Sequence, residues 1–105
     1  MQKIESLTIT LPRLDGLSPS LESTTLKLME EAGELAQAIG KLRGLSGERD
    51  VPPESESFER IAQELLDVAQ TAVTMMYVLE EQHQVDIHDA IEGHLAKLRR
   101  KGYLK

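Results

Sequence analysis

The 105-residue chain carries 18 acidic and 12 basic residues, a net charge of −6, and no cysteine. The length suits one domain with a small core, and the missing thiols exclude a disulfide framework and any thiolate metal site. The acidic balance argues against a nucleic-acid polymer as partner, because such modules neutralise phosphates with basic side chains.

The N-terminal stretch, residues 1–17, is the least regular part. "LTITLPRLDG" is β-branched and then broken by Pro12 and Gly16, which fits an irregular segment or a short turn. "MQKIESLTIT" has neither the apolar run nor the small-residue cleavage site of a signal peptide. No apolar run approaches the roughly 20 residues needed to span a bilayer. The expectation is a soluble, cytoplasmic protein with no membrane partner.

Leu21, Thr25, Leu28, Ala32, Leu35, Ile39 and Leu42 recur at helical spacing and predict a first helix. Ser18 or Ser20 can cap it, Pro19 fits its first turn, and Gly44 and Gly47 stop it. Residues 44–57, "GLSGERDVPPESES", read as a polar connector with paired prolines. A second helix follows on Phe58, Ile61, Leu65, Val68, Ala72, Met75 and Leu79, with another apolar line at Ala62, Leu66, Ala69, Val73 and Met76. A helix apolar on two faces is buried on two sides. A second subunit is the expected cover for the further side, and the N-terminal segment is the alternative. A third helix is predicted from Asp86 to about Lys101, with Ile87, Ile91, Leu95 and Leu98 inward. All acidic residues lie at or before Glu92, whereas Lys97, Arg99, Arg100, Lys101 and Lys105 make the end of the chain basic. The pattern fits an acidic body that holds an anionic ligand through a cation. The fold class is all-α, a single domain over residues 1–105.

Within "KLMEEAGELAQAIGK", Glu30, Glu31 and Glu34 crowd one turn and a half of helix, and like charges at that spacing repel. "ELLDVAQ" supplies Glu64 and Asp67 on the second helix, again three apart. Each pair flanks an apolar stripe, so packing the stripes against each other brings four carboxylates to one seam. Desolvated like charges need a counter-charge. Mg²⁺ or Mn²⁺ fits, since hard divalent cations take oxygen ligands and Mg²⁺ also binds substrate phosphates. Solvated acidic helix faces are the plain alternative. Gly33, costly inside a helix, either admits a close neighbour or is tolerated. Lys27 stands one turn before Glu31 and can pair with it. Glu80 and His83 form a single Glu-x-x-His where a di-iron bundle needs two. No Walker loop, GxGxxG or Ser/His/Asp pattern is visible. Met75 and Met76 read as core filling.

"EEAGE" at 30–34 followed by "ELLD" at 64–67 resembles the EExxE and ExxD motifs of the MazG-like all-α nucleoside triphosphate pyrophosphohydrolase family, over roughly residues 24–102. The resemblance implies a helical bundle with a four-helix-bundle-like core, completed as a homodimer or homotetramer. It implies Mg²⁺-dependent cleavage of an NTP or dNTP to the monophosphate and pyrophosphate, with house-cleaning of nucleotides as one role. The metal ligands would be Glu31, Glu34, Glu64 and Asp67, and Glu30 or Glu34 would take the proton of the attacking water. Lys97, Arg100 and Lys101 would contact substrate phosphates; a basic end that suits the helix dipole is the alternative. The gap between the motifs is long for the family, and the N-terminal stretch does not look like the first helix of many members. Both departures bear on substrate preference. Phosphoribosyl-ATP pyrophosphohydrolase shares the acidic helices, and a non-catalytic helical dimer that binds nucleotides is the reading from another class.

Overall fold

The computed structural model describes residues 4–44, 47 and 53–105. Three helices follow in order: α1 over Leu21–Leu42, α2 over Glu54–His83 and α3 over Ile87–Arg100. No strand occurs among the described residues, and none of these helices is long and apolar enough to cross a membrane.

Local chemistry sets the helix ends. Ser20 caps α1 in a reciprocal box: its hydroxyl accepts from Ser23 N at 3.1 Å, and Ser20 N donates to Ser23 Oγ at 2.9 Å. Pro19 precedes this cap and so lies outside the first turn. Gly44 closes the far end with φ +72°, a left-handed conformation that glycine adopts without steric cost. Residues 54–57 belong to α2 and not to the connector, because Pro53 ends the loop in an extended conformation (φ −51°, ψ 146°) and starts the helix. Of the predicted connector, residues 45–46 and 48–52 lie outside the described ones. Asp86 caps α3 by accepting from Asp89 N at 3.1 Å. Gln84, left-handed at φ 56°, reverses the chain before it.

α1 packs on α2, whereas α3 touches only α2. The α1 seam runs through Leu21, Thr24, Leu28, Glu31, Leu35, Ala38 and Leu42, of which Thr24, Glu31 and Ala38 are buried. This is one step round from the predicted stripe: Thr25, Ala32 and Ile39 are exposed. On α2 the buried residues are Ser57, Thr71, Thr74 and Val78. Among the described residues, the fully buried positions of the seam are therefore largely polar, with half-buried leucines between them. Its threonines are satisfied within their own helices: Thr24 Oγ1 donates to Ser20 O at 2.7 Å, Thr71 Oγ1 to Asp67 O at 3.0 Å, and Thr74 Oγ1 to Gln70 O at 3.0 Å.

Large apolar side chains lie outside instead. Leu26, Met29, Phe58, Leu65, Leu66 and Met76 are all exposed, Leu26 and Met29 by 70% and 68%. The radius of gyration is 17.2 Å, against about 13 Å for a compact chain of this length. α3 has no buried residue, and Ile91, expected inward, is exposed. Ahead of α1, residues 12–19 run without helix or strand along the C-terminal half of α2. There Gln70 Nε2 donates to Pro12 O at 2.9 Å, and Gln82 Nε2 donates to Pro19 O at 3.0 Å. This segment leaves Phe58, Leu65, Leu66 and Met76 uncovered.

Candidate metal centre

Glu31 occupies the middle of the α1 seam, and Glu34 follows one turn later at its exposed edge. Glu64 projects from α2 into the same place. One carboxylate oxygen from each of Glu31, Glu34 and Glu64 lies within 4.8 Å of the other two. The helices meet antiparallel: Glu31 faces Glu64, while nearer the start of α1 Ser23 and Thr24 share a cavity with Thr71 and Thr74.

Each of the two carboxylates in the seam, buried Glu31 and half-buried Glu64, has one oxygen turned toward a cation of its own helix. Glu31 Oε1 receives Lys27 Nζ at 3.0 Å, and Glu64 Oε1 stands 4.0 Å from Arg60 Nε. Glu31 Oε2 and Glu64 Oε2 are buried with no hydrogen-bond partner. A buried acceptor left without a donor costs free energy, more so when charged. The charge of Glu31 above all, then partial burial and Glu64, pushes the Glu34 carboxyl above its ordinary value. Lys27 is raised in turn, chiefly by its hydrogen bond to Glu31. Three converging carboxylates, two of which carry an unpartnered buried oxygen, form a set that a hard divalent cation satisfies.

Asp67, one turn beyond Glu64, is exposed and stands outside the three-carboxylate cluster. It lines instead, as Glu31 also does, a cavity of about 410 Å³ between α1, α2 and the N-terminal segment. Glu30 is exposed, with Oε2 3.8 Å from Lys27 Nζ, and it too is outside the cluster. Lys97, Arg100 and Lys101 are exposed at the end of α3 and border neither the cluster nor the cavity. Gly33 has open space where a side chain would stand, so no neighbour among the described residues requires it.

The cavity itself was not legible beforehand. Thr24, Thr71 and Thr74 sit at heptad-like steps from Glu31 and Glu64, and a seam drawn through the acids would have found them. Leu14 and Leu17, which complete the wall, carry no local signal.

No curated protein and no solved structure matches. The family model of the MazG nucleotide pyrophosphohydrolase domain matches residues 19–102, which include both acidic motifs, all three helices and most of the cavity wall. On that match, over a fold that is helical throughout its regular elements, the chain belongs to the MazG nucleotide pyrophosphohydrolase family.

Proposed function

We propose that the protein is a Mg²⁺-dependent nucleotide pyrophosphohydrolase that cleaves an NTP or dNTP to the monophosphate and pyrophosphate. The observation that carries this reading is the convergence of Glu31, Glu34 and Glu64 within 4.8 Å, with two buried oxygens left unpartnered. Glu31, Glu34 and Glu64 would hold the cation, with Asp67 reaching in from the cavity side. Mn²⁺ suits the same oxygen set. Once bound, such a cation neutralises the triphosphate and lowers the pKa of a coordinated water.

The chain's own groups supply the rest. Water oxygen attacks the α-phosphorus, the bond from that phosphorus to the α,β-bridging oxygen breaks, and pyrophosphate leaves. Glu34, at the exposed edge of the cluster, is placed to take the water proton, and Glu30 is the neighbouring alternative. Lys27 borders both Glu31 and the cavity, so an incoming phosphate can take over its ammonium group. Lys97, Arg100 and Lys101 lie off the cavity within one chain, and contact with phosphates would come from a second copy. The exposed Leu26, Met29, Phe58, Leu65, Leu66 and Met76 support a homodimer or homotetramer, since exposed apolar surface of this kind marks an interface. A cytoplasmic house-cleaning role is consistent with this chemistry.

The test is a panel of NTPs and dNTPs, with phosphoribosyl-ATP included, incubated with Mg²⁺ or Mn²⁺ and followed by pyrophosphate release. Turnover of an NTP or dNTP is expected. No turnover of any substrate, and no metal-dependent rise in melting temperature, would leave a non-catalytic helical module as the better account.

A further inference from the structure

We infer that residues 12–19 form the wall that selects the nucleobase, by closing the cavity beside the carboxylate cluster. The inference rests on the nucleotide reading above and assigns the base and sugar half of the substrate to that cavity.

The cavity lies alongside the cluster and runs away from it. On α1 it is bordered from Glu31 back through Lys27 to Ser23, and on α2 from Asp67 on to Thr74. Eight residues of helix span about 12 Å. One end therefore meets the acids where phosphates would lie, and the other extends along the start of α1. Its volume, about 410 Å³, falls in the range of small-molecule sites.

The two long sides differ in origin. The helical side lies within the residues that match the family, whereas Leu14, Leu17 and Ser18 precede the matched span, which begins at residue 19. The acids thus lie inside the matched span, and most of the opposite wall lies outside it. Leu17 is 60% exposed, so its apolar surface remains available to a ligand. Across from it, the Thr24, Thr71 and Thr74 hydroxyls already donate to their own helices. Their oxygens can still accept, while the apolar surface of Leu14 and Leu17 opposite sets the size and shape that fit between the two sides.

The wall is fastened to α2. Arg13 Nε and Nη2 donate to Glu81 Oε1 and Oε2 at 2.7 and 2.9 Å, and the guanidinium lies 5.9 Å from the Tyr77 ring centre. The fork geometry fixes direction as well as contact. Gln70 and Gln82 hold Pro12 and Pro19 on either side of it. Arg13 is accordingly a positioning residue, acting through the leucines next to it.

Two measurements test this on the full chain. The first is kcat and KM with purine and pyrimidine triphosphates in Mg²⁺. The second is binding of phosphate-free purine and pyrimidine nucleosides, followed by NMR shifts without metal. Leu17→Ala and Leu17→Phe should move the purine-to-pyrimidine ratio of kcat/KM in opposite directions, by roughly tenfold each, with the change carried by KM. Arg13→Ala should raise KM for every base while the Mg²⁺-induced rise in melting temperature persists, and the exchange Arg13→Glu with Glu81→Arg should restore KM. If the wild type hydrolyses triphosphates but the Leu17 variants leave the base ratio alone, the selecting wall is refuted and the enzyme reading stands. If the wild type hydrolyses none but binds nucleosides, and Leu17→Phe weakens purines most, the enzyme reading fails and the wall stands. Neither hydrolysis nor nucleoside binding overturns both.

Discussion

The two faces of the same pair of helices contrast sharply. The seam between α1 and α2 buries Thr24, Glu31, Ser57, Thr71 and Thr74, with only Ala38 and Val78 as buried hydrophobic residues. The outer faces carry Leu26, Met29, Phe58, Leu65, Leu66 and Met76 in the open. An ordinary soluble helix pair puts its apolar stripe inside. Here the most deeply buried positions of the inner face are polar and stand around carboxylates and a cavity, and under the proposed association the outer faces would add the apolar burial that offsets chain entropy.

The strongest way to break that contrast is at the acids. Glu31→Gln and Glu34→Gln should each lower kcat/KM at least about 100-fold, since even supporting groups around a metal site cost 10–100-fold when lost. Both should also abolish the Mg²⁺-induced rise in melting temperature, read by thermal melts with and without the ion. Variants that unfold outright would assign the acids a structural task.

Next in size is the outer face. Replacing Leu65 or Leu66 by Asp should shift the protein toward monomer and make its melting temperature depend less on concentration. Covering one Leu fully contributes about 1.5–3 kcal/mol, so sedimentation and dilution melts should resolve the change. An unchanged association state would move the interface elsewhere.

Removing the cation comes third. Saturating Mg²⁺ at 100 times its dissociation constant stabilises by about 2.7 kcal/mol, and chelation should reverse that amount in a melt. The sign at Glu34 sharpens the point. Its folded carboxyl is raised, chiefly by Glu31, so the folded state binds the proton more tightly than the unfolded chain does. Without metal, stability should fall as pH rises from the ordinary glutamate value, about 4.3, through the raised one. Mg²⁺ should flatten that slope, and Glu34→Gln should remove this residue's share of it.

The smallest effect is at the Arg13 fastening, where both partners are about half exposed. Hydrogen bonds from Arg13 hold the Glu81 carboxyl below its ordinary value. Its contribution is therefore present above the ordinary glutamate range and is lost as pH falls through the lowered value. The difference in melting temperature between wild type and Arg13→Ala should be slight near neutrality and vanish in acid. A large difference that persists in acid would mean Arg13 supports the fold by other means.

The linear sequence by itself determined the three helices and the acidic pairs Glu31/Glu34 and Glu64/Asp67, and it narrowed the α1 cap to Ser18 or Ser20, because capping and helical period are local properties of neighbouring residues. It also carried the family, through two short motifs on consecutive helices. It did not determine which flank of α1 faces α2. The stripes through Thr24 and through Thr25 differ by one helical step, and only packing distinguishes them. That choice placed Glu31 inside the seam and not beside it, and left Asp67 on the cavity side. Only the tertiary structure could bring Arg13 to Glu81 and set Leu14 and Leu17 against the α1–α2 seam, because contacts between residues this far apart depend on where each helix ends and how the chain turns.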